Sequence, residues 1–144
     1  MRFMMLMIPK GYETAKPGAM PDAKAVADMM KYNESLQKAG VLLALDGLHP
    51  PSMGARISFP GGQAKVTDGP FTEAKEVVGG YWMIEVKSKE EAIEWAKRVP
   101  PPHGEGEESE IEIRQVFEAE DFSAEFVPEH REEAERVYKQ VSRA

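Results

Sequence analysis

The chain opens on Phe3-Met4-Met5-Leu6-Met7-Ile8, six apolar residues with no polar interruption. A segment that does not alternate between wet and dry positions reads as a strand covered on both faces, placed inside a sheet rather than at its edge. It is too short to cross a bilayer, and it lacks the longer apolar core and small-residue cleavage site of a secretory signal. The expectation is therefore the first, central strand of a cytoplasmic protein that does not engage a membrane.

The rest of the chain supplies partners for that strand. Residues 11–21 hold two prolines and two glycines and read as a loop. Over residues 22–39, Val26, Met29, Met30 and Leu36 recur at helical spacing with Asn33 completing the stripe. Gly40 then stands where a left-handed cap is wanted. Residues 41–48 (VLLALDGL) read as a second apolar strand, turned by His49-Pro50-Pro51. Residues 55–59 and 63–67, joined by Pro60-Gly61-Gly62, carry a hairpin signal. Residues 79–86 (GGYWMIEV) are the next strand. Ser88 and Glu91 then form a capping box, opening a helix through Ala92, Ile93, Ala96 and Val99 that Pro100-Pro101-Pro102 closes. The last strand alternates Ile111, Ile113 and Phe117 with Glu112 and Arg114. Beyond it, Pro128, the acids Glu129, Glu132 and Glu133, and the late cations Lys139 and Arg143 predict a helix polarised to suit its macrodipole. Ala134, Val137, Tyr138 and Val141 give it one modest apolar stripe.

Two β-α-β units with a hairpin between them predict an α+β, ferredoxin-like domain: an antiparallel sheet with its helices on one side, and an appended C-terminal helix. The boundaries expected are 1–122 for the domain and 123–144 for the extension. The second face of the sheet, assigned Phe3, Met5, Met7, Tyr81 and Met83, is too apolar for water. Either the tail helix or a second sheet must cover it. The preferred solution is a homodimer whose two sheets pack face to face as a dimeric α+β barrel.

Composition narrows the chemistry. There are no cysteines, so disulfides and thiolate chemistry are excluded. The three histidines, His49, His103 and His130, do not sit at ligand spacing, so no metal site is expected. A net charge of -7 without a basic stripe argues against nucleic acid. Gly61-Gly62 and Gly79-Gly80 lack the spacing of a phosphate-cradling loop, and no cofactor is expected.

What remains is a short set of ionisable residues near turns. Asp46 and His49 stand three apart at the end of a buried strand, where a histidine can act as general base and the carboxylate can orient it. The plain alternative is an aspartate that closes a turn beside a solvated histidine. Asp68 precedes Gly69-Pro70 and is either a turn-forming carboxylate or an acid at a pocket mouth, with Lys75 and Glu76 close by. Arg56 on the hairpin can hold a substrate carboxylate, and Tyr81 can line a pocket. Tyr81 and Trp82 must point to opposite faces of their strand.

Residues 66–100 resemble the signature of the DGPF family, related to the YCII-like domains. The residues that match are Asp68-Gly69-Pro70-Phe71, then Glu73, Lys75 and Glu76, and Gly79-Gly80. Gly40-Val41-Leu42, Gly47-Leu48 and Pro50 upstream also fit, and residues 111–122 resemble the family's closing strand. The likeness spans roughly residues 2–122. It implies a dimeric α+β barrel, clefts of small-molecule size, and a family largely without assigned activity, some of whose members are encoded beside alternative sigma factors. Related enzymes that act on ring-opened aromatic acids share a histidine on the first helix paired with an aspartate. Residues 31–40 (KYNESLQKAG) contain no histidine, so that dyad does not carry over.

Two functional expectations follow. One is a small enzyme of isomerase, lyase or hydrolase type acting on a small anionic or enolisable molecule. Asp46 with His49, or Asp68, would move protons, while Arg56, Lys75 and Tyr81 would bind the molecule. The alternative is a non-catalytic ligand-binding or regulatory module, linked to a sigma-factor system.

Overall fold

The computed structural model describes residues 1–71, 75–104 and 108–122 and, further on, 132–133, 135–137 and 139–140. The elements in order are β1 (Arg2–Pro9), α1 (Ala23–Lys38), β2 (Leu42–Gly47), β3 (Ala55–Ser58), β4 (Lys65–Asp68), β5 (Gly80–Glu85), α2 (Lys89–Ala96) and β6 (Ser109–Gln115). Four of the strands form one sheet in the order β2-β5-β1-β6, with every neighbouring pair antiparallel. The opening apolar run is thus an inner strand, and the arrangement is the α+β, ferredoxin-like one expected.

Local chemistry explains where the helices begin and end. The Asp22 carboxylate accepts from Ala25 N–H at 2.7 Å and starts α1, which closes on Gly40 at φ +74°. At α2 the Ser88 hydroxyl accepts from Glu91 N–H at 3.1 Å, and the Glu91 carboxylate reaches back to Lys87 N–H at 2.9 Å. Both helices lie on one face of the sheet. Phe3, Met5 and Met7 pack with Trp82 and Ile84 against Tyr32 and Leu36 of α1 and Ala92 and Trp95 of α2. Each fully buried side chain of this size contributes roughly 1.5–3 kcal/mol.

The face assignment of β1 needs correcting. Met5 stands opposite Trp82 and Leu6 opposite Tyr81, so Phe3, Met5 and Met7 look toward the helices. The companions of Tyr81 and Met83 on the far face are Met4, Leu6 and Ile8, all half-buried. An unbroken apolar run carries no polar residue to mark which half looks inward; only the cross-strand register decides it.

Phe117 also departs from expectation. β6 ends at Gln115, and Phe117 is 64% exposed. Its strand partner has run out: Val116 N–H donates to the carbonyl of Arg2, at the start of β1. The Arg2 guanidinium holds the departing chain, donating to the Phe117 carbonyl and, at 2.8 and 3.1 Å, to both oxygens of Glu118.

Strands β3 and β4 form a separate ribbon with Ile57 opposite Val66, turned through Gly61 and Gly62 at φ +63° and +84°. All of its strand residues are exposed. The described residues between 132 and 140 are helical, as expected of the tail. Glu73, Pro128, Glu129, His130, Ala134, Tyr138, Val141 and Arg143 lie outside the described residues. No helix among the described residues is long and apolar enough to cross a membrane.

Candidate functional site

A cavity of about 340 Å³ opens between α1, the loop after β1 and the ends of β2 and β5. Its position follows from α1 carrying two apolar stripes rather than one. Ala25, Tyr32 and Leu36 enter the core, whereas Val26, Met30 and Asn33, with Met29 between the stripes, border the cavity. This explains why Val26 and Met30 remain 39% and 65% exposed although the sequence places them on a buried stripe.

The sheet contributes a floor that stops short. Met7, Leu45 and Trp82 face the cavity side, and the strands then end in Gly47 and Gly79-Gly80. Gly79 is required there, since a Cβ on it would lie 2.8 Å from Pro9 Cγ. The far wall is Tyr12, whose hydroxyl donates to the Leu48 carbonyl at 2.6 Å and whose ring lies 5.1 Å from that of His103. Burial pushes the Tyr12 phenol above its ordinary pKa.

Asp46, His49 and Tyr81 all border this cavity, so the structure gathers three of the six residues singled out in the sequence. Their relation is not the one the spacing implied. The Asp46 carboxylate accepts from the Tyr81 hydroxyl at 3.1 Å, and among the described residues no hydrogen bond joins Asp46 to His49. That hydrogen bond, and then the carboxylate charge itself, raise the pKa of the Tyr81 phenol. Leu45 and Trp82 point to the helix side, so alternation turns Asp46 and Tyr81 toward the far face. They meet the cavity only where the sheet ends.

The other three lie elsewhere. Arg56 places its guanidinium 4.3 Å above the ring of Phe71, Lys75 is exposed, and Asp68 ends β4 opposite Ala55. The strongest motif in the chain has a packing explanation at this point. Gly69 N–H donates to the Gly54 carbonyl at 2.9 Å, and a Cβ on Gly69 would fall 1.6 Å from the Pro51 carbonyl oxygen. Only glycine lets the two turns approach so closely.

Sequence reasoning missed Tyr12, His103 and Asn33 as cavity residues. For Asn33 a signal was present: it is a polar residue at a position where the helical stripe calls for an apolar one. Among the described residues no arginine or lysine borders the cavity. Among the described residues no cluster of three histidines, aspartates or glutamates could hold a metal ion.

Comparison with known proteins shows the family of the chain. A protein of Rhizobium meliloti (strain 1021), described as uncharacterized, is 30% identical over 76 residues, which is 53% of this chain and 61% of that protein. The chain thus spans less than two thirds of that relative. The model of the YCII-related domain matches residues 1–120, the whole of the sheet and both helices. On that match the chain belongs to the YCII-related domain family.

Proposed function

We propose that the protein binds a small, largely apolar molecule in the cavity beside α1 and acts on it by proton transfer through His49. The observation that carries this reading is the cavity itself. It has the volume of a small-ligand site, walls of methionine and aromatic side chains, and a few polar groups converging at one end. Of the two substrate classes open to such an enzyme, the enolisable one is favoured over the anionic. The cations suited to an anion, Arg56 and Lys75, stand outside the lining. Tyr81 and Asp46 form a hydrogen-bonded pair at the sheet end, in which the carboxylate holds the proton on the phenol and leaves it a donor.

One observation favours a second reading, in which the cavity binds without catalysing. His49 has no carboxylate orienting it among the described residues; Asp46 accepts from Tyr81. A thermal-shift screen of small ketones, lactones and keto acids on wild type and His49→Ala addresses both. A ligand at a hundred times its dissociation constant adds about 2.7 kcal/mol of stability. A stabilising compound that wild type also turns over, and His49→Ala binds without turnover, supports the enzyme. Binding without turnover in either protein supports the second reading, and no stabilisation by any compound sinks both.

The same family membership and the apolar far face support a homodimer, in which Met4, Leu6, Ile8 and Met83 pack against their counterparts in a second copy.

A further inference from the structure

Trp82 and Asn33 fix one another at the floor of the cavity. The indole Nε1–H donates to Asn33 Oδ1 at 2.7 Å. An indole nitrogen can only donate, so the atom that receives it must be the amide oxygen, and chemistry settles which way the amide faces. Asn33 Nδ2 therefore carries two N–H donors, and among the described residues no hydrogen bond takes up either. Its neighbours one turn back on α1 are Met29 and Met30, and Val26 lies a further turn away; all three border the cavity and none has a side-chain oxygen.

We propose that Asn33 Nδ2 reads a carbonyl oxygen, and that the occupant is an uncharged, ring-sized ketone, ester or lactone with an apolar body. The proposal rests on the cavity being a ligand site, as argued above. Three considerations select this class. A paired donor in an apolar wall is matched by an oxygen with two lone pairs and no hydrogen of its own. A hydroxyl would bring a donor hydrogen that the side chains beside Asn33, Val26, Met29 and Met30, are poorly suited to accept. A carboxylate would lose water beside methionines with no arginine or lysine among the described lining residues to compensate it. A fixed amide donor on a carbonyl oxygen also stabilises the negative charge that grows there when a neighbouring proton is removed. Asn33 thereby gives an enolising reaction the electrophilic partner that the sequence motifs lack.

The test compares two probes of one shape, acetophenone and ethylbenzene, by chemical-shift titration of the full chain. Wild type should bind acetophenone about threefold to tenfold more tightly, the range expected of one neutral hydrogen bond. Asn33→Asp keeps an acceptor for the indole and removes the donor. It should lose the preference for acetophenone over ethylbenzene, read as the ratio of the two affinities within that protein. Trp82→Phe frees the amide to rotate and should reduce the preference without abolishing ethylbenzene binding, which guards against an Asn33→Asp that fails to fold. Equal binding of both probes by wild type, or a preference that survives in Asn33→Asp, overturns the role of Asn33 while leaving the cavity a binding site. Benzoate binding more tightly than acetophenone overturns the uncharged class. Binding of neither neutral probe at millimolar concentration overturns the cavity reading itself.

Discussion

The hydroxyl of Tyr32 on α1 donates to the main-chain carbonyl of Trp95 on α2 at 2.8 Å, a buried bond between the two helices. The Tyr32 ring also meets Trp82 edge-on, with centroids 5.6 Å apart at 88°. One side chain thus ties α1, α2 and β5 together. Tyr32→Phe keeps the ring and removes the bond, while the Trp95 carbonyl still accepts from Arg98 N–H at 3.2 Å. The expected loss is about 0.5–1.5 kcal/mol, read as a lower urea midpoint at unchanged slope. An unchanged midpoint would show that the bond carries no net stability.

The same phenol sets an alkaline limit. Burial pushes the Tyr32 pKa up to about 12 from an ordinary value near 10, with the nearby Arg98 charge acting in the opposite sense. A pKa raised by folding means that the fold favours the neutral form. The associated stability is complete below pH 10 and is lost as pH rises through about 12. Stability measured from pH 9 to 12 should therefore fall in wild type and fall less steeply in Tyr32→Phe. Parallel curves for the two proteins would assign the alkaline transition to another group.

Gly69→Ala should damage the ribbon selectively. The new Cβ would sit 1.6 Å from the Pro51 oxygen, and main chain cannot yield as a flexible side chain does. A cost of about 1–3 kcal/mol is expected, as for other overpacked sites. Hydrogen exchange should locate it: faster at Gly69 and along β3 and β4, unchanged along β1 and β5. Uniform acceleration through the sheet would mean that the ribbon and the sheet unfold together.

Asp46→Asn should lower the pKa of Tyr81 toward that of a free phenol, because the amide still accepts a hydrogen bond but brings no charge. The tyrosinate absorbance titration is the readout, with Tyr81→Phe identifying the component that moves. If that component is the same with and without the Asp46 carboxylate, the pairing does not persist in solution.

Leu6→Glu tests the homodimer. Leu6 lies opposite Tyr81 and Glu112 on the far face, where a buried glutamate beside a second carboxylate would disfavour association strongly. Sedimentation should show wild type at twice the chain mass and the variant at one chain mass with an intact far-ultraviolet spectrum. A monomeric wild type would refute the face-to-face arrangement.

Much of this fold is legible in the residues, for reasons that differ from element to element. The inner strand announces itself because Phe3 to Ile8 admits no solvated face, and α2 because Ser88, Glu91 and the triple proline bracket it. Which half of β1 looks inward is not legible, since it depends on Met5 meeting Trp82 across a separation of many residues. The site was half visible. Asp46, His49 and Tyr81 are turn-proximal or aromatic and draw the eye, and the structure brings them to one cavity. Arg56 and Lys75 drew it as well and lie outside, because charge alone does not say where a side chain ends up. Asn33 is conspicuous only once α1 is known to have two stripes, one packed and one facing empty space.

The neck of the β3–β4 insertion has a consequence for how such a protein can change. Residues 49–78 leave and rejoin the sheet at Leu48 and Gly79, where the Leu48 N–H donates to the Gly79 carbonyl at 2.9 Å. With the two ends already clasped, the length of chain between them hardly affects the sheet, because the entropy of closing a loop grows only with the logarithm of its size. The ribbon is in effect a graft on a finished scaffold. His49, at the rim of the cavity, belongs to the graft, whereas Asn33 and Trp82 belong to the scaffold. If His49 is the reacting group proposed above and Asn33 the grip, a lineage could exchange the first while retaining the second, and new chemistry would begin from an existing pocket.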